Sequence, residues 1–147
     1  MIRLLTLSVQ IGIMVFLTIS CGKKNDRPYI DKLLIGNWTL NSIENPKTNK
    51  LIYYPDTFPS KEIVRFMDYD TVLYFNGICN DAMAYYTISN SSLLIHSIGT
   101  TAKFCKNQIW EDYLYYGLLQ AKEYHVDSNQ LTIYGRDTIN LHFNKNL

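Results

Sequence analysis

After residue 33 the chain alternates between apolar and polar positions for much of its length. Trp38, Leu40 and Ser42 fall on one face of a period-two pattern, and Thr39, Asn41 and Ile43 on the other. This predicts a first strand within residues 33–44. Residues 45–60 hold Pro46, Pro55 and Pro59 with Asn45, Asn49 and Asp56, which is loop chemistry with room for a short strand at Leu51–Tyr54. Glu62–Met67 and Thr71–Asn76 are apolar runs joined by Asp68-Tyr69-Asp70, a predicted hairpin. Gly77 to Asp81 interrupts the pattern. Ala84–Ser89 and Ser92–Ile98 flank Asn90-Ser91, a second hairpin turn, and Thr100–Phe104 reads as a short strand leading to Cys105.

The period then changes. Trp110, Tyr113, Leu114, Gly117, Leu118 and Ala121 share one stripe of a helix predicted over Asn107–Ala121. Asn107 is its expected N-cap, and Glu111 and Asp112 suit the positive end of the helix dipole. Gly117 inside the stripe predicts close approach to a neighbouring surface. Strands resume at Lys122–Val126 and Gln130–Tyr134 around Asp127-Ser128-Asn129. In a last strand, Ile139–Phe143, Ile139, Leu141 and Phe143 are expected inward and Asn140, His142 and Asn144 outward.

The N-terminus has a different pattern. Met1-Ile2-Arg3 is short and positive, Leu4 to Ile19 is mostly apolar, and Ser20-Cys21-Gly22 precedes polar Lys23, Lys24, Asn25, Asp26 and Arg27. A small residue before the cut is what signal peptidases require. Leu17-Thr18-Ile19-Ser20-Cys21-Gly22 resembles a relaxed bacterial lipobox of the kind seen in Bacteroidetes lipoproteins. It departs from the common pattern in having Thr18, not Leu, three positions before Cys21. An uncleaved anchor is the alternative, although the apolar run of about 16 residues is short for a span. A plain secretory signal with an incidental Cys is another. The expected division is therefore a signal peptide at 1–20, a lipidated tether at 21–32 starting on Cys21, and one folded domain at 33–147. The expected location is the cell envelope, as an outer-membrane lipoprotein facing either the periplasm or the surface, held by its N-terminal lipid.

Composition narrows the function classes. Of 14 Lys and Arg residues only Arg3 precedes Cys21, so the mature part carries 13 basic side chains against 13 acidic ones. A chain neutral by count lacks the basic surface of a nucleic-acid binder. Aromatic residues make up 14% of the chain, with 12 Tyr, which suits half-buried strands. If Cys21 takes lipid, Cys79 and Cys105 remain as an even pair in an oxidising compartment. A disulfide between them would close a loop of about 26 residues, worth roughly 3.5 kcal/mol in the chain-entropy model. Buried free thiols are the alternative. A metal site would need more ligands, and His96, His125 and His142 form no CxxC or HxxxH spacing with them.

Several segments together resemble the META domain family, relatives of a bacterial heat-shock-inducible lipoprotein. Leu34-Ile35-Gly36-Asn37-Trp38-Thr39-Leu40 is similar to the family's opening L-x-G-x-W-x-L strand. Phe75-Asn76-Gly77-Ile78-Cys79-Asn80 resembles its central G-C-N segment, with Ile78 as an extra residue between Gly and Cys. Tyr86-Thr87-Ile88 and Leu93-Leu94-Ile95 resemble its middle hairpin, and Thr100-Thr101-Ala102-Lys103-Phe104-Cys105 its T-x-x-x-C run. Trp110-Glu111 and Leu131-Thr132-Ile133 resemble the helix and strand that follow. The resemblance implies a mainly β (α+β) fold, a small open antiparallel β-barrel with one helix packed against it. It implies no common enzymatic activity, and associates members with stress response, drug resistance and secretion.

The search for chemistry is mostly negative. His96 follows apolar Leu94 and Ile95, His125 lies between Tyr124 and Val126, and His142 between Leu141 and Phe143, so each is expected to point away from its apolar neighbours. The carboxylates are scattered, no pair such as Glu111-Asp112 sits at a spacing that forces both into a cleft, and no phosphate-cradling Gly loop or Gly-x-Ser-x-Gly elbow occurs. No catalytic residue, metal or cofactor is expected. Asp70-Thr71-Val72 and Asp137-Thr138-Ile139 resemble the O-glycosylation sequon of Bacteroidetes exported proteins. The expected role is a non-enzymatic envelope lipoprotein that binds a protein partner or serves envelope stress. The alternative is a lipocalin-like carrier of a small apolar ligand inside the barrel.

Overall fold

Leu34 anchors the start of the fold. Its carbonyl accepts a 2.7 Å hydrogen bond from the buried Trp38 indole N–H, and both side chains are fully enclosed. Between them Gly36 adopts φ +125°, a conformation that disfavours any side chain. The spacing Leu34–Gly36–Trp38 thus turns the chain into its first strand and seats an aromatic plug in one end of a barrel. The computed structural model describes residues 30–146, apart from 59, 60, 62, 69, 70, 78, 105–107 and 138.

Nine strands and one helix follow: β1 (Gly36–Asn45), β2 (Lys50–Tyr53), β3 (Ile63–Phe66), β4 (Val72–Asn76), β5 (Asp81–Ser89), β6 (Ser92–Thr100), α1 (Ile109–Leu119), β7 (Ala121–Val126), β8 (Gln130–Gly135) and β9 (Asn140–Lys145). All pairings are antiparallel. The sheet order is β2-β1-β3-β4-β5-β6-β7-β8-β9, and β1 also pairs with β9, so eight strands close into a barrel. One edge of β1 is shared, by β3 along its first half and by β2 along Ser42–Asn45, which leaves β2 outside the ring. The thin seam is β6–β7, where the pairing is Ser92 opposite Glu123. The helix packs on β6, β8 and β9 and fills the space beside that seam.

Turn chemistry sets the connections. Asn90 takes φ 54° between β5 and β6, as a hairpin turn requires. Asp127 Oδ1 accepts the amides of Asn129 and Gln130 at 2.8 Å and fixes the β7–β8 turn. The strand expected over Thr100–Phe104 is the last residue of β6 followed by irregular chain. The N-cap is Gln108, with no side-chain capping bond, in place of the expected Asn107, which lies outside the described residues.

A β-bulge corrects one face assignment. In the β1–β9 ladder Leu40 faces Phe143, yet Ser42 faces His142, so the register slips by one at Asn41. Trp38 and Leu40 point inward as expected. Beyond the bulge it is Ile43, opposite Leu141, that enters the core, while Ser42 leaves it for the side of the sheet that carries His142, where it stays covered at 2% exposure. In β9, Leu141 and Phe143 are buried as expected. Asn140, expected outward, is also covered, with 8% of its surface exposed.

The interior is filled. Trp38, Phe66, Phe75, Tyr86 and Phe143 are at most 1% exposed, and small Ala82 and Ala84 make room for them. Burial of each large apolar side chain contributes about 1.5–3 kcal/mol. Along α1, Trp110, Leu114 and Leu118 face the core, and a Cβ on Gly117 would stand 2.8 Å from the buried Leu141 side chain. That contact is the close approach the sequence predicts. Tyr54 and Phe58, from the Pro-rich segment, pack edge-on, and Tyr54 meets Trp110 at 5.1 Å.

Tyr86 is the exception in this core. Its ring packs edge-on against Phe66, but its hydroxyl is buried with no partner among the described residues, and burial pushes its pKa up to about 12. An unpaired buried hydroxyl costs about 1 kcal/mol or more. Tyr86→Phe should therefore keep or raise stability by about 1 kcal/mol in urea unfolding. A clear loss would show that the hydroxyl has a partner in solution.

Candidate functional site

The interrupted segment after β4 is a polar junction. Gly77 N–H bonds the Asn80 carbonyl at 2.9 Å, and the amides of Cys79 and Asn80 donate to Glu111 Oε2 at 3.1 and 3.2 Å. Glu111, in the first turn of α1, is only 6% exposed. A carboxylate buried this far needs such donors. Asn80 completes the junction. Its Oδ1 accepts from Lys103 N at 2.7 Å and Thr101 Oγ1 at 3.0 Å, and its Nδ2 donates to Lys103 O at 3.2 Å. A Cβ on Gly77 would lie 2.8 Å from both Glu111 Oε2 and the Asn80 carbonyl oxygen, so the site admits only glycine without rearrangement.

Beside this junction lies a groove of about 360 Å³ between the chain after β6 and the first turns of α1. Thr101, Lys103 and Phe104 form one wall, and Asp112, Tyr115 and Tyr116 the other. Phe104 is 95% exposed and Tyr116 60% exposed. Residues this apolar and this open, clustered on one rim, mark a contact surface more than a solvated face.

A second groove, of about 240 Å³, lies on the flank, where β2, β1, β9 and β8 run side by side. Glu44 Oε2 accepts from Asn140 Nδ2 at 3.0 Å and lies 3.2 Å from His142 Nε2; His142 Nδ1 lies 3.1 Å from Thr132 Oγ1. The Asn140 amide, with His142 adding to it, holds the Glu44 carboxyl below the usual glutamate range against the opposing effect of partial burial.

His96 and His125 are exposed, as expected for outward strand positions. His142 also points outward but is half-buried in the flank groove. Its link to Glu44 spans 98 residues, a distance over which sequence spacing carries no signal. Glu111, read from sequence as a dipole partner, is instead the anchor of the junction. Cys79 Sγ lies 3.4 Å from the Lys103 carbonyl oxygen, two residues before Cys105. Cys105, Cys21 and Thr138 lie outside the described residues, and Thr71 is half-buried just before β4. Among the described residues no three His, Cys, Asp or Glu side chains converge as a metal site.

Asn80→Ala would leave the Lys103 N–H and C=O without their partner. The expected loss is roughly 2 kcal/mol in chemical denaturation. Stability unchanged within error would mean that the junction does not hold the 101–104 segment in place.

The fold has solved counterparts. The structure is similar to an NMR structure of a protein from Burkholderia xenovorans, with a TM-score of 0.66 at 17% identity, over 84% of this chain and 97% of the other. It is also similar to the crystal structure of a DUF4847 family protein from Bacteroides vulgatus, with a TM-score of 0.57 at 14% identity, over 78% of this chain and 95% of the other. At such identities the likeness concerns the fold. None of the curated proteins compared with the chain matches it. The family model of the META domain matches residues 31–146, from the residue that precedes the Leu34 turn to the end of the last strand. The Gly77–Asn80, Thr101–Lys103 and Trp110–Glu111 pieces that carry the sequence resemblance meet at one junction, and the chain belongs to the META domain family.

Proposed function

We propose that the chain is a lipid-anchored, non-enzymatic envelope protein whose domain binds a protein partner in the groove beside α1. The exposed Phe104 and Tyr116 on the rim of that groove carry the reading. Aromatic side chains of this kind contribute much of the affinity in protein interfaces. The position of the groove supports it. Tyr124 Oη lies 3.0 Å from Asp31 Oδ2 and 3.3 Å from the Asn90 carbonyl, so the chain enters the domain beside the β5–β6 turn. The groove lies at the other end of β5, next to Asn80 and Thr101. Nine residues of strand separate the two ends, about 25 Å. The entry of the chain at Asp31 and the groove lie at opposite ends of the barrel, an arrangement that, with lipid on Cys21, favours presenting the groove away from the membrane.

The rival reading, an apolar ligand carried inside the barrel, needs an interior cavity, and the axis is occupied by Trp38, Phe66, Phe75 and Tyr86. The Thr132–His142–Glu44 chain has the composition of a nucleophilic triad, but catalysis also needs donors aimed at a developing oxyanion. Here β8 and β9 are each paired on both edges, which commits their backbone amides to the sheet. In the same reading Cys79 and Cys105 form a disulfide that fastens the junction, in keeping with the position of Cys79 Sγ against Lys103.

Three measurements test this. Site-specific photocrosslinking at Tyr116 in intact cells should trap a discrete protein adduct that Phe104→Ala abolishes and Tyr53→Ala does not, and Cys21→Ser should release the protein from the membrane fraction. Absence of an adduct, or a membrane pool indifferent to Cys21→Ser, would overturn the corresponding half of the proposal. Non-reducing peptide mapping should recover one linked peptide containing Cys79 and Cys105; alkylation of both cysteines without reductant would rule the disulfide out.

A further inference from the structure

The flank groove has a regular floor. Tyr53 on β2 faces Ser42 on β1, Ser42 faces His142 on β9, and His142 faces Thr132 on β8. The bulge at Asn41 produces this row, because it puts Ser42 and Glu44 on the same side of the sheet as His142, with Ser42, 2% exposed, lying beneath the others. Four neighbouring strands thus present one line of side chains across the outside of the barrel, with Glu44 beside it and Gln130 at its edge.

Three properties of the row point to one class of ligand. The first is preorganisation. Asn140 and His142 hold the Glu44 carboxylate, and Thr132 meets the other ring nitrogen of His142, so the polar atoms are fixed before anything binds. The second is mixed hydrogen-bonding capacity. A carboxylate offers about four acceptor sites, a threonine hydroxyl donates and accepts, and the Gln130 amide does both. Such a set suits a ligand rich in hydroxyl groups, each a donor and an acceptor. The third is Tyr53, a residue 65% exposed at the end of the row, on a strand with every residue exposed. An open aromatic face beside fixed polar groups matches a molecule with hydroxyls on its edges and C–H bonds on its faces. An anionic ligand is disfavoured by Glu44, whose carboxyl is already held as the charged form by its neighbours.

We propose that the flank groove is a binding site for a neutral saccharide unit. Tyr53 stacks on the C–H face of the ring, and Glu44, Thr132 and Gln130 hydrogen-bond its hydroxyls. The site is separate from the groove beside α1 and does not depend on the partner proposed there.

The test uses the full chain, solubilised in a detergent without a sugar headgroup. It is titrated calorimetrically with maltohexaose, cellohexaose, mannohexaose and N-acetylchitohexaose, and with an oligogalacturonate as the acidic comparison. At least one neutral oligosaccharide should bind with millimolar or tighter affinity. Tyr53→Ala and Thr132→Val should each weaken it about tenfold or more, with unchanged melting temperature, and Phe104→Ala should leave it unchanged. The proposal is overturned by no binding of any neutral oligosaccharide, by binding that survives both groove variants, or by binding of the acidic oligomer alone.

Discussion

A single carboxylate determines where the helix can begin. Glu111 is held under the amides of Cys79 and Asn80, and with that contact made the first turn of α1 has one position relative to β4 and β5. Trp110, Leu114 and Leu118 then face the core, and Gly117 comes against Leu141 at the far side. The chain between β6 and α1 is held by Asn80 in turn, which places Phe104 in solvent. The helix supports the barrel where β6 and β7 scarcely pair, so this polar contact governs the closure of an otherwise apolar structure.

Much of this was legible in the sequence, because period two and period 3.6 are direct consequences of strand and helix geometry. The positions of the nine strands among the described residues, the helix stripe from Trp110 to Leu118 and the tight approach at Gly117 follow from local pattern, whereas Ala121, read as the last of that stripe, opens β7. What escaped did so for identifiable reasons. The bulge at Asn41 adds one residue to one strand and leaves no mark on composition, yet it exchanges the faces of Ser42 and Ile43. Asn140 keeps the outward side of β9 but is covered there because it reaches Glu44 on another strand, and that pairing depends on how the barrel closes. Glu111 looked like an ordinary acidic residue in a first helical turn, and only its 6% exposure gives it away.

Inside and outside make different use of aromatic residues. The enclosed ones fill volume: Phe66 against Tyr86, and Trp38 beneath Lys145, whose ammonium lies 5.0 Å from the indole centroid. Of the exposed ones, Tyr53 on the flank and Phe104 and Tyr116 beside the helix each border a concavity, whereas Tyr74, Tyr85 and Tyr134 line neither groove. A barrel packed so fully has little space inside for a guest, and the recognition chemistry of such a fold moves to its outer wall and its rims.

The entry of the chain at Asp31, beside Tyr124 and Asn90, has a consequence for encounter. Asp31 lies ten positions along the chain from Cys21, a stretch that reaches at most about 35 Å when fully extended. Under the lipid anchoring at Cys21 proposed above, the domain would patrol a thin shell above the bilayer. For a partner embedded in that same membrane, it is present at the effective concentration of a short linker, on the order of millimolar. Contacts too weak to survive free diffusion would be sufficient within that layer.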